Sequence, residues 1–514
     1  MRWSFCRYGQ RQSRRFPLTC CALSGLIALL CTSFIPLSAQ TASQEKLERQ
    51  VEQLTEALSR TQAQVEESQR QLEEMRRQVA SLRQQMADAG AAAAATSEAG
   101  QLTKAVDEIR ERQAMQESQI ATHEQTKVET ESKYSLKLSG LILLNGFVNT
   151  QQVDVAATPS VALPGAGSTG ASVRQTMLGL DARGPHLFGA RSHADVQVDF
   201  DGGSQPGSSA TGTYNGDLLR LRTAHAALDW EHTELFFSYD RPLVSPHTPD
   251  SLTAFAVPAL AWSGNLWVWN PQIGLTYDIS LSTTQRLSLQ AALIDVSNPP
   301  ALYSSTSTYT TATPPTTAEQ SRWPGVETRF ALLGVDQEHG AQIGLGGFFA
   351  PHRTSGGTDF DSWAGTLDLR QPLPGRMELA GSFYRGQALG GLGGGAYKDY
   401  LAGTNPNNPA IKYFQVLDDV GGWAQWKLRA SDRLEFNGAF GIDDVSAGQV
   451  RPFTGSSTAI YQNLARNRTF TGNMIYSPSA YLLFSLEYRH LESSQATGQT
   501  TPGNTLGIAA GYKF

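Results

Sequence analysis

The sequence predicts an all-β transmembrane barrel of about sixteen antiparallel strands, preceded by an α-helical coiled coil. From Tyr134 onward, apolar residues recur at every second position, the period of a strand with one apolar face. The connections between these strands alternate between short turns and long loops, as expected when both chain ends lie on the same side of a membrane. Before Tyr134, apolar residues follow the 3.5-residue period of a coiled coil.

The first segment, 1–39, is predicted to be a secretory signal peptide. It carries five arginines and no acidic residue, then an apolar run from Leu18 to Leu37 that ends in Ser38-Ala39. All four cysteines lie within it, so the mature chain has no thiol for a disulfide or a metal. Its removal changes the formal net charge from -6 to -11, which argues against a nucleic-acid-binding protein.

Residues 40–90 are predicted to form a periplasmic coiled coil with a narrow apolar seam. The a positions hold Val51, Leu58, Val65, Leu72, Val79 and Met86, and the d positions hold Leu47, Leu54, Met75 and Leu82. Such a seam needs a partner helix to bury it, so a lone solvated helix is the weaker interpretation. The heptads leave open whether two or three chains associate.

An Ala- and Gly-rich hinge, 91–100, separates this coil from a second short helix, 101–133. The seam of the second helix is weaker because Gln113, Gln116 and His123 occupy seam positions. A lone histidine near a fraying helix end is expected to be solvated. The sequence therefore predicts no metal site and no cofactor.

The barrel domain, 134–514, contains sixteen candidate strands: 134–150, 171–183, 190–201, 215–229, 233–241, 270–280, 286–297, 324–336, 340–351, 360–371, 375–387, 413–430, 432–445, 466–477, 479–493 and 504–514. An even number returns both ends of the domain to the periplasmic side. The last strand places Leu506, Ile508, Ala510, Tyr512 and Phe514 on one apolar face. It resembles the terminal signal by which outer-membrane barrels are assembled, although an amphipathic strand of a soluble sheet has the same pattern.

Charged residues alternate with apolar residues on several predicted strands. Asp195 and Asp199 alternate with valines, Arg220 and Arg222 with leucines, and Lys427 and Arg429 with Trp426 and Leu428. A charge facing lipid at the bilayer midplane costs about 2 to 4 kcal/mol, so these charges are expected to face the lumen. There they would set charge selectivity, or they would form salt-bridged packing without a role in transport.

The third long loop, 242–269, occupies the position of the loop that narrows general porins. It contains His247, Asp250, Trp262, Trp267 and Trp269, stiffened by four prolines. Indoles beside a histidine and an aspartate would grip a sugar or an aromatic acid by stacking. The tryptophans would equally suit the membrane rim.

Several short motifs together resemble DcaP-like trimeric porins, which are related to phosphate-selective porins. They are Tyr134-Ser135-Leu136-Lys137-Leu138-Ser139-Gly140, Val196-Gln197-Val198-Asp199-Phe200, Leu219-Arg220-Leu221-Arg222 and Gly511-Tyr512-Lys513-Phe514. The resemblance implies a sixteen-stranded trimeric barrel that passes small, often anionic, solutes. Thr223-Ala224-His225 departs from the basic and aromatic run of that pattern, and dense lysine clusters are absent, so phosphate selectivity is not expected.

The function predicted from these features is passive diffusion of small hydrophilic solutes, anionic or sugar-like, through a water-filled barrel in the outer membrane. The expected partners are outer-membrane lipid, two further copies of the chain, the solutes and cell-wall components bound by the coil; nucleic acid is not among them. Enzymatic activity is not expected, because the barrel histidines His225, His247 and His490 lie in no recognisable nucleophile motif. The alternative function is a structural envelope tether or surface adhesin.

Overall fold

The computed structural model describes Glu74, Arg77, Gln78 and Ser81 and the ranges 135–202, 218–300, 315–334, 340–405, 408–454 and 460–514. The chain divides into two compact units, Met1–Gln113 and Ala114–Phe514. In the first unit the four described residues are helical. The predicted signal peptide, coiled-coil core, hinge and second short helix lie outside the described residues.

The second unit is built almost entirely of strands. In chain order they are β1 Leu136–Val153, β2 Ala162–Ser172, β3 Met177–Leu187, β4 Ala190–Asp199, β5 Arg220–Asp229, β6 Thr233–Asp240, β7 Asn270–Ser280, β8 Gln285–Ile294, β9 Gly325–Gly334, β10 Gln342–Arg353, β11 Asp359–Leu373, β12 Met377–Gln387, β13 Tyr400–Asn405, β14 Asn408–Val416, β15 Asp418–Ser431, β16 Leu434–Val445, β17 Leu464–Tyr476, β18 Leu482–Gln495 and β19 Thr500–Lys513. Short helices span Thr317–Ser321, Ala447–Val450 and Ile460–Asn463, and 3-10 turns span Gly390–Leu392, Gly395–Tyr397 and Arg451–Phe453.

Antiparallel pairing between neighbouring strands closes this sheet into a barrel. The last strand, β19, pairs with β1 in a register that runs from Leu141 opposite Lys513 to Asn149 opposite Thr505. β2 pairs with the second half of β1 and β3 with the first half, so the two occupy a single place in the wall. β13 and β14 form a separate hairpin. Within the described residues the barrel therefore has sixteen strand positions, which confirms the predicted fold class.

Most strand boundaries differ from the prediction by a few residues, and two of the differences change the path of the chain. The predicted strand 171–183 is broken into β2 and β3, because Gln175 turns away from the wall and hydrogen-bonds the backbone at Thr253 and Phe255. The predicted strand 413–430 begins at Asp418, since its first residues belong to the β13–β14 hairpin. Apolar and polar residues continue to alternate across both of these positions, so periodicity alone does not reveal either change in the strands.

The two faces of the wall differ as the alternation predicts. On β19, Leu506 and Ile508 are 48% and 57% exposed, whereas Thr505 and Ala509 are 6% and 5% exposed. The apolar side chains therefore face outward and the small or polar ones inward. In the described part of the chain, no helix is long and apolar enough to span a bilayer.

The C-terminal residue completes the seam between the first and last strands. Gly140 and Phe514 exchange two backbone hydrogen bonds of 3.0 Å each. The Phe514 ring lies over Gly140, where any Cβ would collide with it. Tyr512 and Phe514 remain outward-facing and nearly half exposed, as predicted for the terminal strand; its role as an assembly signal stays a prediction.

Ile508→Arg should lower the free energy of unfolding of the barrel in lipid vesicles by about 2 to 4 kcal/mol, because it places a guanidinium in the hydrocarbon. Denaturant titration monitored by tryptophan fluorescence would measure the loss. Phe188→Arg is the matched control, since Phe188 is 90% exposed in the short turn between β3 and β4. Equal stability of the two variants would contradict the assignment of the outward face.

Candidate functional site

The third long loop, 242–269, runs through the interior of the barrel. The Asn145 side chain of β1 donates a 2.9 Å hydrogen bond to the Leu252 carbonyl oxygen. The Asn473 side chain of β17 donates one of 2.8 Å to the Asp250 carbonyl oxygen. Both asparagines face inward and are buried. The loop is therefore bound to the inner wall rather than displayed outside it.

Asp250 and Lys427, both predicted from the sequence, meet at this loop. The Asp250 carboxylate accepts a hydrogen bond of 2.6 Å from Gln425 Nε2 and lies 2.9 Å from Lys427 Nζ. The Lys427 side chain is 8% exposed, so its charge is largely neutralised by the loop. Arg429 lies farther along the strand, 41% exposed and 3.7 Å from Glu435, and is the more accessible of the two bases.

His247 packs against a nearby part of the wall, at β11. Its Nε2 lies 3.5 Å from an oxygen of Asp368. Asp368 already accepts two hydrogen bonds from Arg329, of 2.9 and 2.7 Å. Burial lowers the pKa of His247 to about 4, so the ring is neutral at pH 7. A neutral imidazole in this position packs the loop against the wall and contributes no charge to the lumen.

The three tryptophans of the loop form one packed group. Trp262 stacks on Tyr397 with ring centroids 4.2 Å apart. Trp267 meets Trp262 and Trp269 edge-on, at 6.0 and 5.4 Å. Each indole is less than a tenth exposed. The rings therefore lie inside the barrel and not at the outer rim, and much of their surface is covered by one another and by Tyr397.

The two predicted arginines face inward but hold different positions. Arg220 lies opposite Asp199 and donates to it through Nε at 2.9 Å and Nη2 at 2.6 Å. The same Nη2 donates to the Ala256 carbonyl oxygen of the loop at 2.9 Å. Since Asp199 is fully buried, this charge-assisted pair fixes the loop to the wall.

Arg222 occupies a β-bulge. Gln197 pairs with Thr223 and Val198 with Leu221, so within the described strands Arg222 has no position opposite it on β4. Both Arg222 and Thr223 then share the inward face, as is usual at a bulge. The guanidinium lies 4.8 Å from the centre of the Phe255 ring and 5.3 Å from that of Trp269. Simple alternation predicted the direction of the side chain but not the bulge.

Asp195 lies on a wall that remains partly open. It shares the inward surface of β4, β5 and β6 with four other titratable side chains. This set, named here the open wall, consists of His193, Asp195, His225, Asp229 and Glu234, whose side chains are 24% to 36% exposed. By contrast, inward acids elsewhere, such as Asp199 and Asp368, are fully buried.

A second segment, 388–399, also packs inside the barrel; it lies in the connection between the predicted strands 375–387 and 413–430. Lys398 is buried within it and donates from Nζ to the carbonyl oxygens of Ala396, Tyr461 and Leu464. Burial lowers the pKa of Lys398 to about 7 and raises the pKa of Asp399 to about 7. Its glycines allow close packing, as at Gly391, where an added Cβ would collide with the Ser297 carbonyl oxygen. Glycine density was the one sequence signal available.

A closed sixteen-stranded barrel with an apolar outside, a polar inside and an inward third loop has the architecture of an outer-membrane porin. The crystal structure of the outer-membrane channel DcaP of Acinetobacter baumannii is similar, with 15% identity and a TM-score of 0.55, covering 74% of this chain and 97% of that one. This likeness confirms the predicted resemblance at the level of the fold.

Two further solved structures are more distantly similar. The anion-selective porin from Comamonas acidovorans has 12% identity and a TM-score of 0.43, with 74% of this chain and all of that chain covered. OprB of Pseudomonas putida at high pH has 9% identity and a TM-score of 0.44, with 76% and 96% covered. No protein-family model and no curated protein matches the sequence.

The docking of the third loop should weaken as the pH falls from about 6.5 toward 4. The undocked His247 has an ordinary pKa near 6.5, above its docked value of about 4, so acid favours the undocked state. Amide hydrogen exchange of the loop, corrected for intrinsic rates, would measure this at pH 7 and pH 4.5.

His247→Gln should reduce that pH dependence, because the amide side chain does not titrate. His232→Gln is the matched control, since His232 lies half-exposed in the turn between β5 and β6. The same pH dependence in both variants would remove His247 as the cause.

Proposed function

We propose that the protein is an outer-membrane porin through which small hydrophilic solutes, anionic or sugar-like, diffuse passively. The observation that carries the proposal is a sixteen-stranded barrel whose interior is lined by charged residues and crossed by a tethered loop. The interior of an eight-stranded barrel would be filled by its own side chains, whereas a sixteen-stranded barrel has room for water beside the loop. The fold shared with DcaP supports the same function.

The passage runs along the open wall. The loop is tied to β1, β15 and β17 by direct hydrogen bonds from Asn145, Gln425 and Asn473. On β11 and β9 the inward charges of Asp368 and Arg329 are buried against it. The five side chains of the open wall, on β4 to β6, are 24% to 36% exposed, whereas Arg220 at the start of β5 is held by the loop. Water and solutes therefore pass between the loop and this wall, and the loop narrows the passage.

Arg220 and Arg222 have different roles in this passage. Arg220 is held by Asp199 and by the loop backbone, so it anchors the loop. Arg222 is bound less tightly, since its nearest carboxylate oxygen is 3.6 Å away. Its side chain is 12% exposed, and it adds positive charge to the lining beside the passage. The remaining predicted residues of the loop, His247, Asp250 and the tryptophans, hold its shape.

The proposed placement of the chain follows from the same reasoning. The segment 1–39 directs secretion, the barrel 134–514 lies in the outer membrane, and the coil 40–90 extends into the periplasm. Three copies of the chain associate, and the coil contacts cell-wall components. No enzymatic step is included in the proposal.

Planar-bilayer recording of the purified, folded protein tests the proposal most directly. Stepwise ohmic conductance in potassium chloride is expected. A folded barrel that inserts but passes no current would overturn the porin function and would favour a tether or adhesin.

Arg222→Ser should shift the reversal potential in a salt gradient toward cation selectivity, because it removes a positive charge from the lining beside the passage. Arg220→Ser should chiefly increase current fluctuations by releasing the loop, and the double variant should show both effects. Arg353→Ser is the control, since Arg353 is half-exposed at the end of β10. An unchanged reversal potential in the double variant would exclude both arginines from selectivity.

A further inference from the structure

Two histidines and a glutamate converge on the open wall from three adjacent strands. We propose that His193, His225 and Glu234 form a binding site for a divalent transition-metal ion, with Zn²⁺ as the type ligand. One potential ligand atom from each side chain lies within 4.8 Å of the other two. Zinc ligands stand about 2.0 to 2.2 Å from the ion. Small side-chain rotations, on the order of 1 Å, would bring the three atoms to that distance.

The three side chains are brought together by the pairing of adjacent strands in the barrel wall. His193 lies on β4, His225 on β5 and Glu234 on β6, and all three project inward. The two imidazole centroids are 5.5 Å apart and their planes are inclined by 46°, so the rings do not stack in parallel. His225 and Glu234 lie 32 and 41 positions after His193 and meet it through strand pairing alone, so the sequence pattern does not indicate a metal site.

Two further carboxylates lie beside the histidines, and one of them is close enough to orient its histidine for metal binding. His193 Nδ1 lies 3.1 Å from Asp229 Oδ2, and His225 Nδ1 lies 3.7 Å from Asp195 Oδ1. At 3.1 Å, the Asp229 carboxylate holds the proton on His193 Nδ1 and leaves the Nε2 lone pair for an ion, whereas the 3.7 Å contact of His225 is beyond hydrogen-bond distance. His225 Nε2 already faces Glu234 Oε1, at 3.6 Å. Metal-binding histidines commonly have such outer carboxylates, so this is an observation separate from the clustering.

Charge and access favour a cation at this place. The three carboxylates of the open wall surround the two imidazoles, and the side chains remain a quarter to a third exposed. A cavity of about 860 Å³ borders His193, Asp195 and Asp229 and provides an approach for a hydrated ion, although Lys137, Arg183 and Arg191 also line it. Phe236 covers His225 from one side, with ring centroids 5.8 Å apart. Imidazole ligands favour Zn²⁺, Ni²⁺ or Cu²⁺ over Mg²⁺ and Ca²⁺.

Zinc titration of the full-length protein in detergent, purified with a tag that contains no histidine, tests the site. Calorimetry should detect binding with a micromolar or lower dissociation constant that excess Mg²⁺ leaves unchanged. His225→Ala should weaken it by at least about tenfold, and His232→Ala should not. Absence of zinc binding, or equal binding by the His193→Ala/His225→Ala variant, would overturn the proposal.

A second variant guards against misfolding. Glu234→Gln keeps the shape of the side chain and removes one anionic ligand, and its folding is checked by heat-dependent electrophoretic mobility. With Co²⁺ as a probe, the native protein should give a visible absorption band that Glu234→Gln shifts or weakens. An identical Co²⁺ spectrum in a folded Glu234→Gln protein would exclude this glutamate as a ligand and with it the three-ligand site.

A bound ion would also change the current through the channel, and this consequence alone rests on the proposed function. Micromolar Zn²⁺ should reduce the conductance of the native protein and leave that of His225→Ala unchanged. Zinc binding by calorimetry in a protein without channel activity would contradict the porin function and preserve the metal site. Channel activity without zinc binding would contradict the metal site and preserve the porin function.

Discussion

The pairing of β1 with β19 is the contact on which the rest of the molecule depends. Inside a bilayer, a sheet edge would leave unpaired amide and carbonyl groups in hydrocarbon, where each costs several kcal/mol. The register from Leu141 opposite Lys513 to Asn149 opposite Thr505, continued by Gly140 and Phe514, removes both edges. Once the barrel is closed, its inside and outside are distinct, and alternate side chains of each strand face the lumen and the lipid.

Closure then sets the conditions for the interior. Inward charges on sixteen strand positions cannot all reach bulk water once a loop enters the lumen, so they need partners. Asp199 with Arg220, Asp368 with Arg329, and Asp250 with Lys427 meet this need. The pairs therefore explain why the third loop stays inside, and the open wall is one part of the lining where charged side chains remain exposed.

The sequence predicted most of what depends on local pattern and little of what depends on distant contacts. The strand count, the inward direction of Arg220 and the outward face of Leu506 follow from a period of two. The break at Gln175, the packed segment around Lys398 and the meeting of His193 with Glu234 depend on residues far apart in the chain. The spacing of residues also does not distinguish whether Trp262 lies at the membrane rim or in the lumen, because an indole is compatible with both positions.

The bulge at Arg222 also affects how the side chains that line such a barrel can change when a residue is lost. Because Val198 pairs with Leu221 and Gln197 with Thr223, the wall on either side of Arg222 is already in register without it. A one-residue deletion or insertion elsewhere in β5 would turn each following side chain to the other face. At the bulge, deletion of Arg222 would change the lining by a single side chain. Lumen charge can thus be lost by deletion at this position without disturbing the lipid-facing surface.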